Sequence, residues 1–157
     1  KEGPTALILS RQNLPVLDRT ILSPAKGLRR GGYILWDSSP ERPQAIVIGT
    51  GSEVAIALRA GKMLAEEGLR IRVVSLPSWE LFDRESSSYR DHVLPPDIQA
   101  RVAVEAGIRL GWEHYVGLHG AIIGLDGFGA SAPAPVLYEK FGITAAHVAD
   151  AAKALIK

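Results

Sequence analysis

Three stretches of the sequence carry residue types that could do chemistry. Ser10-Arg11-Gln12-Asn13 directly follows the apolar run that begins at Thr5. An arginine at the carboxyl end of a strand offers a planar fork of donors that fits a phosphate or a carboxylate. Taken alone, Arg11 is equally a charge on a surface linker. Gly49-Thr-Gly-Ser-Glu53 stands between an apolar run and a helical pattern, where backbone N–H groups and the helix dipole favour an anion. The turn lacks the third glycine of the dinucleotide fingerprint and the Gly-Lys-Ser/Thr of a phosphate-cradling loop. Its plainer reading is a capped helix entered through a tight turn. Glu105 ends the run Ala100-Arg-Val-Ala-Val-Glu105. Ligands of open α/β sheets gather at the carboxyl ends of strands, which makes Glu105 a candidate site carboxylate; as a structural group it would buttress the loop at Ala106-Gly107.

Other chemistries are excluded or unsupported. Without cysteine there is no disulfide, thiolate metal site or cysteine nucleophile. His92, His114, His119 and His147 do not pair at helical spacing, and the ligand clusters that zinc prefers are missing. No Ser/His/Asp set follows from spacing. A formal net charge of +1 supplies no field toward nucleic acid or membrane. Trp112, Tyr115 and Phe128 are not interleaved with basic residues, so they read as core or interface rather than a base-stacking platform. No apolar stretch approaches the roughly 20 residues that span a bilayer, and no hydrophobic leader follows Lys1-Glu-Gly-Pro4. A cytoplasmic location is expected, with a plastid one left open.

The elements that must position these residues are legible from periodicity. Ala45-Ile-Val-Ile-Gly49 is a short, β-branched run suited to a strand covered on both faces. Thr50 and Glu53 have capping-box spacing, with Ser52 as the competing cap. Val54, Ala57, Leu58, Gly61, Leu64 and Ala65 form one helical stripe, closed by Gly68. Arg70–Ser75 is the return strand, so the unit is a parallel crossover and the domain is α/β. Residues 11–32 read as a surface linker, and Tyr33–Trp36 as a short strand antiparallel to the Ala45 strand. Further strands are expected at Thr5–Ser10, Ala100–Glu105 and Ala121–Leu125. Short helical turns fall between Trp79 and Tyr89. One helix starts at Pro133 and another is capped by Thr144, with Val148, Ala151, Ala152 and Leu155 inward. The 157 residues suffice for one domain with a core. An apolar strand so close to a first residue that is not Met is expected of a piece of a longer protein.

The series Gly3-Pro-Thr-Ala-Leu-Ile-Leu-Ser-Arg-Gln-Asn-Leu-Pro15, Gly31-Gly-Tyr-Ile-Leu35, Ile48-Gly-Thr-Gly-Ser-Glu-Val54, Arg72-Val-Val-Ser-Leu-Pro77, Arg101-Val-Ala-Val-Glu-Ala-Gly107, Gly120-Ala-Ile-Ile-Gly124 and Phe128-Gly-Ala-Ser-Ala-Pro133 resembles the transketolase family over essentially the whole chain, in order. Deoxyxylulose-phosphate synthases and pyruvate dehydrogenase β subunits have a domain of this kind but not this series. Trp36, Trp79-Glu-Leu81 and Asp126-Gly127 depart from the family pattern.

The resemblance implies a three-layer αβα domain with a mixed, mostly parallel five-stranded sheet. Residues 1–30 would be the end of the pyrimidine-binding domain and a linker, and residues 31–157 the C-terminal domain. It implies a thiamine diphosphate- and Mg2+- (or Ca2+-) dependent homodimer that moves a two-carbon ketol unit between sugar phosphates. Cofactor, metal and catalytic groups would lie in upstream thiamine-binding domains, so the piece alone would bind no cofactor and be inactive. Of the substrate contacts only Arg11 carries over, matching the arginine that binds the sugar phosphate group. The competing readings are an anion- or nucleotide-binding module at Gly49–Glu53, or the same domain from another thiamine-dependent ketolase or synthase.

Overall fold

A computed structural model describes residues 9–156. The strand expected at Thr5–Ser10 falls almost entirely outside the described residues; its last two, Leu9 and Ser10, are irregular. The domain is a five-stranded sheet of order β1-β3-β2-β4-β5. Its strands are β1 (Tyr33–Asp37), β2 (Ala45–Gly49), β3 (Ile71–Ser75), β4 (Arg101–Ile108) and β5 (Ala121–Leu125). β2, β3, β4 and β5 run parallel, and β1 is antiparallel at the edge.

β1 pairs with β3, not with β2 as its nearness in sequence suggests. β2 is the central strand, and its two edges are taken by β3 and β4. The edge left for β1 is therefore the outer one of β3, and the polar turn 38–44 carries the chain across to β2.

Helices cover both faces. α1 (Val54–Glu66) and α6 (Ala145–Leu155) pack on Ala45, Val47, Ile71, Val73, Val102 and Val104. α2 (Trp79–Asp83), α3 (Ser87–Val93) and α4 (Glu113–Val116) bury Phe82, Val93, Trp112 and Tyr115 against Ile46, Ile48, Val74 and Ala103 on the other side. Odd- and even-numbered residues of β2 thus feed opposite cores, as the two-residue period of a strand requires, and all five are buried. Trp112 and Tyr115 belong to the core as expected, whereas Phe128 is fully exposed.

α1 lies close on the sheet because Gly61 faces Val73: a Cβ added there would sit 2.6 Å from the Val73 Cγ2. Gly68 ends the helical stretch with φ +86°, a conformation other residues adopt at a cost. α5 (Ala134–Lys140) follows Pro133, and the Thr144 hydroxyl accepts the His147 N–H at the start of α6. α6 buries Val148, Ala149 and Ala152, while Ala151 and Leu155 are partly exposed.

Residues 11–32 are more than a surface connection. Leu22 is buried, Ser23 N–H donates to the Leu35 carbonyl at 3.0 Å, and Ala25–Arg30 forms a 3-10 turn against β1. Beneath that turn, buried Arg72 donates twice to Asp37 at 2.9 Å and once to the His92 carbonyl at 2.6 Å, closing the C-terminus of α3. Among the described residues no helix is long and apolar enough to cross a membrane.

Candidate functional site at the carboxyl end of the sheet

The parallel strands deliver their carboxyl ends to one side, and the candidate residues meet there. β2 ends at Gly49, where a side chain would meet Ala57 Cβ and Val54 Cα at 3.0 Å. The chain then turns through Thr50 into a single 3-10 turn, Gly51–Glu53, that leads straight into α1. The capping box is not formed. Thr50 makes no side-chain cap, its carbonyl accepts the Glu53 N–H at 3.0 Å, and the Glu53 side chain turns inward.

Glu53 is 3% exposed, and its Oε1 receives the Ser52 hydroxyl at 2.6 Å and the Tyr138 phenol at 2.6 Å. A carboxylate taken out of water needs such donors. Two side-chain hydroxyls outcompete a single local backbone N–H, which explains why the capping-box spacing misleads. The negative charge also stands at the N-terminus of α1, where the dipole favours it. The anion that this turn suits is therefore supplied by the chain's own Glu53.

Glu105 approaches the same place from β4, which runs through to Ile108 rather than stopping before Gly107. The register with β5 shifts between Val104 and Ile108. Burial, and secondarily the charge of Glu53, push the Glu105 carboxyl up to about 7. The carboxyl lies beside its own loop: a Cβ on Gly107 would be 3.3 Å from Glu105 Oε1.

Tyr138, on α5, is the member that sequence reasoning missed. It looks like one more apolar position of a short helix. Its hydroxyl donates to Glu53 and accepts from Gln12 Nε2 at 3.1 Å. Burial, followed by the hydrogen bond to Glu53, raises the phenol above its ordinary range. Gln12 is the immediate neighbour of exposed Arg11, so the Ser10–Asn13 stretch, the Gly49–Glu53 turn and Glu105 gather at one end of the sheet.

The histidines do not converge. His147 Nδ1 lies 2.8 Å from the Gly142 carbonyl and His114 Nε2 lies 3.5 Å from Asp83. Among the described residues no three His, Cys, Asp or Glu side chains are placed to hold a metal ion. A second cleft, lined by Lys26, Arg29, Arg30, Arg72, Tyr89 and His92, is basic by composition. Arg72 is paired with Asp37 and Arg30 with Glu85, and the Arg30 guanidinium stacks 3.1 Å above the Tyr89 ring.

Residues 31–144 match the family model of the transketolase-like TK C-terminal domain. The chain is 53% identical over 154 residues to Transketolase 10 of Craterostigma plantagineum, covering 97% of this chain and 22% of that protein. It is 54% identical over 146 residues to Transketolase 2 of Escherichia coli K12, covering 93% of this chain and 22% of that protein. Among solved structures, a transketolase of Pichia stipitis in complex with xylulose 5-phosphate superimposes with a TM-score of 0.80 at 37% identity, over 92% of this chain and 20% of that one. The chain thus spans about a fifth of the length of these relatives, and by family match, sequence identity and fold it belongs to the transketolase C-terminal domain family.

Proposed function

We propose that this chain acts as the C-terminal domain of a longer, homodimeric transketolase that transfers a two-carbon ketol unit between sugar phosphates. Residues 31–157 are the domain proper and residues 1–30 the end of a pyrimidine-binding domain with its linker; a family match that begins at residue 31 supports that division. Within it, Arg11 grips the substrate phosphate. The observation that carries this reading is the seating of Gln12 on Tyr138 at the carboxyl end of the sheet. It holds the adjoining Arg11 at the end where α/β sheets gather ligands. The Pichia stipitis relative is described with xylulose 5-phosphate, a phosphorylated ketose. A guanidinium fork suits such a phosphate better than a point charge does.

Thiamine diphosphate and a divalent ion belong to the family's chemistry, but the residues here do not fit them. Glu53 and Glu105 bring two carboxyl groups together at the carboxyl end of the sheet, the wrong sign of charge for an anionic diphosphate. The cofactor, Mg2+ or Ca2+, and the groups that act on them belong to the thiamine-binding domains against which this domain docks.

The test is an assay of the 157-residue chain beside the full-length protein. Calorimetric titration with thiamine diphosphate and Mg2+, and coupled ketol transfer from xylulose 5-phosphate, should both be silent for the chain alone and positive for the full-length protein. Turnover by the isolated chain would overturn the assignment of the chemistry to other domains.

A further inference from the structure

We infer that Glu53, acting through Tyr138 and Gln12, is a positioning residue for Arg11. The inference rests on the assignment of Arg11 to the substrate phosphate and adds what holds that arginine in place.

The stretch Leu9–Leu17 belongs to no helix or strand. Among the described residues, the hydrogen bond from Gln12 Nε2 to the Tyr138 oxygen is the one that ties it to the body of the domain. Apolar contacts hold the stretch further along: Pro15 lies in a cleft with Ile56, Arg59 and Tyr138, and Leu17 packs on the core. At Arg11 itself the polar anchor is the next residue, whose Cα lies about 3.8 Å away along the chain. Fixing Gln12 therefore limits where the arginine can reach.

Glu53 gives the anchor its polarity. A phenol has one proton to donate. Here it points to Glu53 Oε1 at 2.6 Å rather than to the Ser52 oxygen at 3.3 Å. With that proton committed, the phenolic oxygen can only accept toward Gln12, and the Gln12 amide must present its NH2. The donor chain runs Gln12 to Tyr138 to Glu53 and ends on a buried carboxylate that Ser52 also holds. The three residues come from the linker, α5 and the β2–α1 turn. Their meeting ties a segment without regular secondary structure to a helix and to the turn that opens another, the kind of support that substrate-positioning groups require.

The experiment uses the full-length protein with Tyr138→Phe, Glu53→Gln, Gln12→Ala and Arg11→Ala. KM and kcat are measured for a phosphorylated ketose donor and for an unphosphorylated one. Losing one hydrogen bond at the anchor, as Tyr138→Phe and Gln12→Ala do, should raise KM for the phosphorylated donor about two- to tenfold. Glu53→Gln keeps an acceptor oxygen but lets its amide compete as a donor, and should raise that KM in the same direction by less. The unphosphorylated donor and kcat should be unmoved. Combined with Arg11→Ala, Tyr138→Phe should add nothing, because residues acting in series are not additive. Equal losses for both donors, an unchanged KM, or additivity with Arg11→Ala would overturn the inference. If Glu53→Gln does not fold, Tyr138→Phe and Gln12→Ala decide alone. If Arg11→Ala leaves KM for the phosphorylated donor unchanged, the phosphate assignment itself fails. If Arg11→Ala raises it and the anchor variants do not, only the positioning role fails.

Discussion

Tyr138 donates its phenolic proton to Glu53 Oε1 at 2.6 Å, joining α5 to the turn between β2 and α1 across 85 residues of sequence. The contact makes the carboxyl end of the sheet a single polar assembly rather than three separate loops. Tyr138→Phe keeps the ring and deletes the hydroxyl, leaving the buried carboxylate with Ser52 alone and Gln12 without its acceptor. The variant should lose about 1–2 kcal/mol, the range for a hydrogen bond to a charged group that is partly screened. Urea unfolding should show a lower midpoint with an unchanged slope; an unshifted midpoint would mean that the contact contributes nothing.

Glu105 predicts how stability depends on pH. Its carboxyl titrates at about 7 in the fold against 4.5 for the ordinary group, so between those values the folded chain binds more protons than the unfolded one. Stability attributable to this group is full below about pH 4.5 and is lost as pH rises through 7. Glu105→Gln cannot ionise and removes that loss. The variant should match the parent at about pH 4 and exceed it by about 1–2 kcal/mol at pH 8, a figure discounted because Glu105 is only half-buried. Denaturation curves at the two pH values check it; equal stability gaps at both would contradict a Glu105 carboxyl raised by its burial in the fold.

The Arg72–Asp37 pair sets a contrast with the surface pairs around it. Arg72 is buried among α3 carbonyls and β1, so Asp37→Ala strands a guanidinium without its counter-charge. The expected cost is about 2–4 kcal/mol, below the full cost of breaking a buried pair because the Asp37 carboxylate is partly wet. Glu41→Ala removes the partner of exposed Arg70 and should cost less than about 0.5 kcal/mol. Similar losses for the two variants in thermal or urea unfolding would contradict the burial argument.

The crossover β2–α1–β3 was legible because each part has a strong local signal. Ala45–Gly49 and Ile71–Ser75 are continuous apolar runs, and Val54 to Leu64 repeats at helical spacing. The partner of β1 was not legible, since a short polar turn says that two strands are close in sequence without saying which sheet edge is open. Thr50 and Glu53 show the same limit at the scale of side chains. Their spacing permits a capping box, but spacing does not reveal that a phenol 85 residues away offers Glu53 a better donor. Arg11 and Glu105 could be singled out from their places after apolar runs. Tyr138 could not, because a tyrosine inside a helical pattern signals packing first, and its partner Gln12 is distant in sequence. Arg72 was hidden for a related reason: in a strand pattern it reads as an outward residue, and only the arrival of the α3 carbonyls makes it an inward one.

The most direct test of the central claim is a crystal structure of the full-length protein with a sugar phosphate bound. The account predicts both outer nitrogens of the Arg11 guanidinium, or one nitrogen and Nε, at about 2.9 Å from phosphate oxygens, with Gln12 still seated on Tyr138. A phosphate held entirely by other residues, with Arg11 turned into solvent, would contradict it.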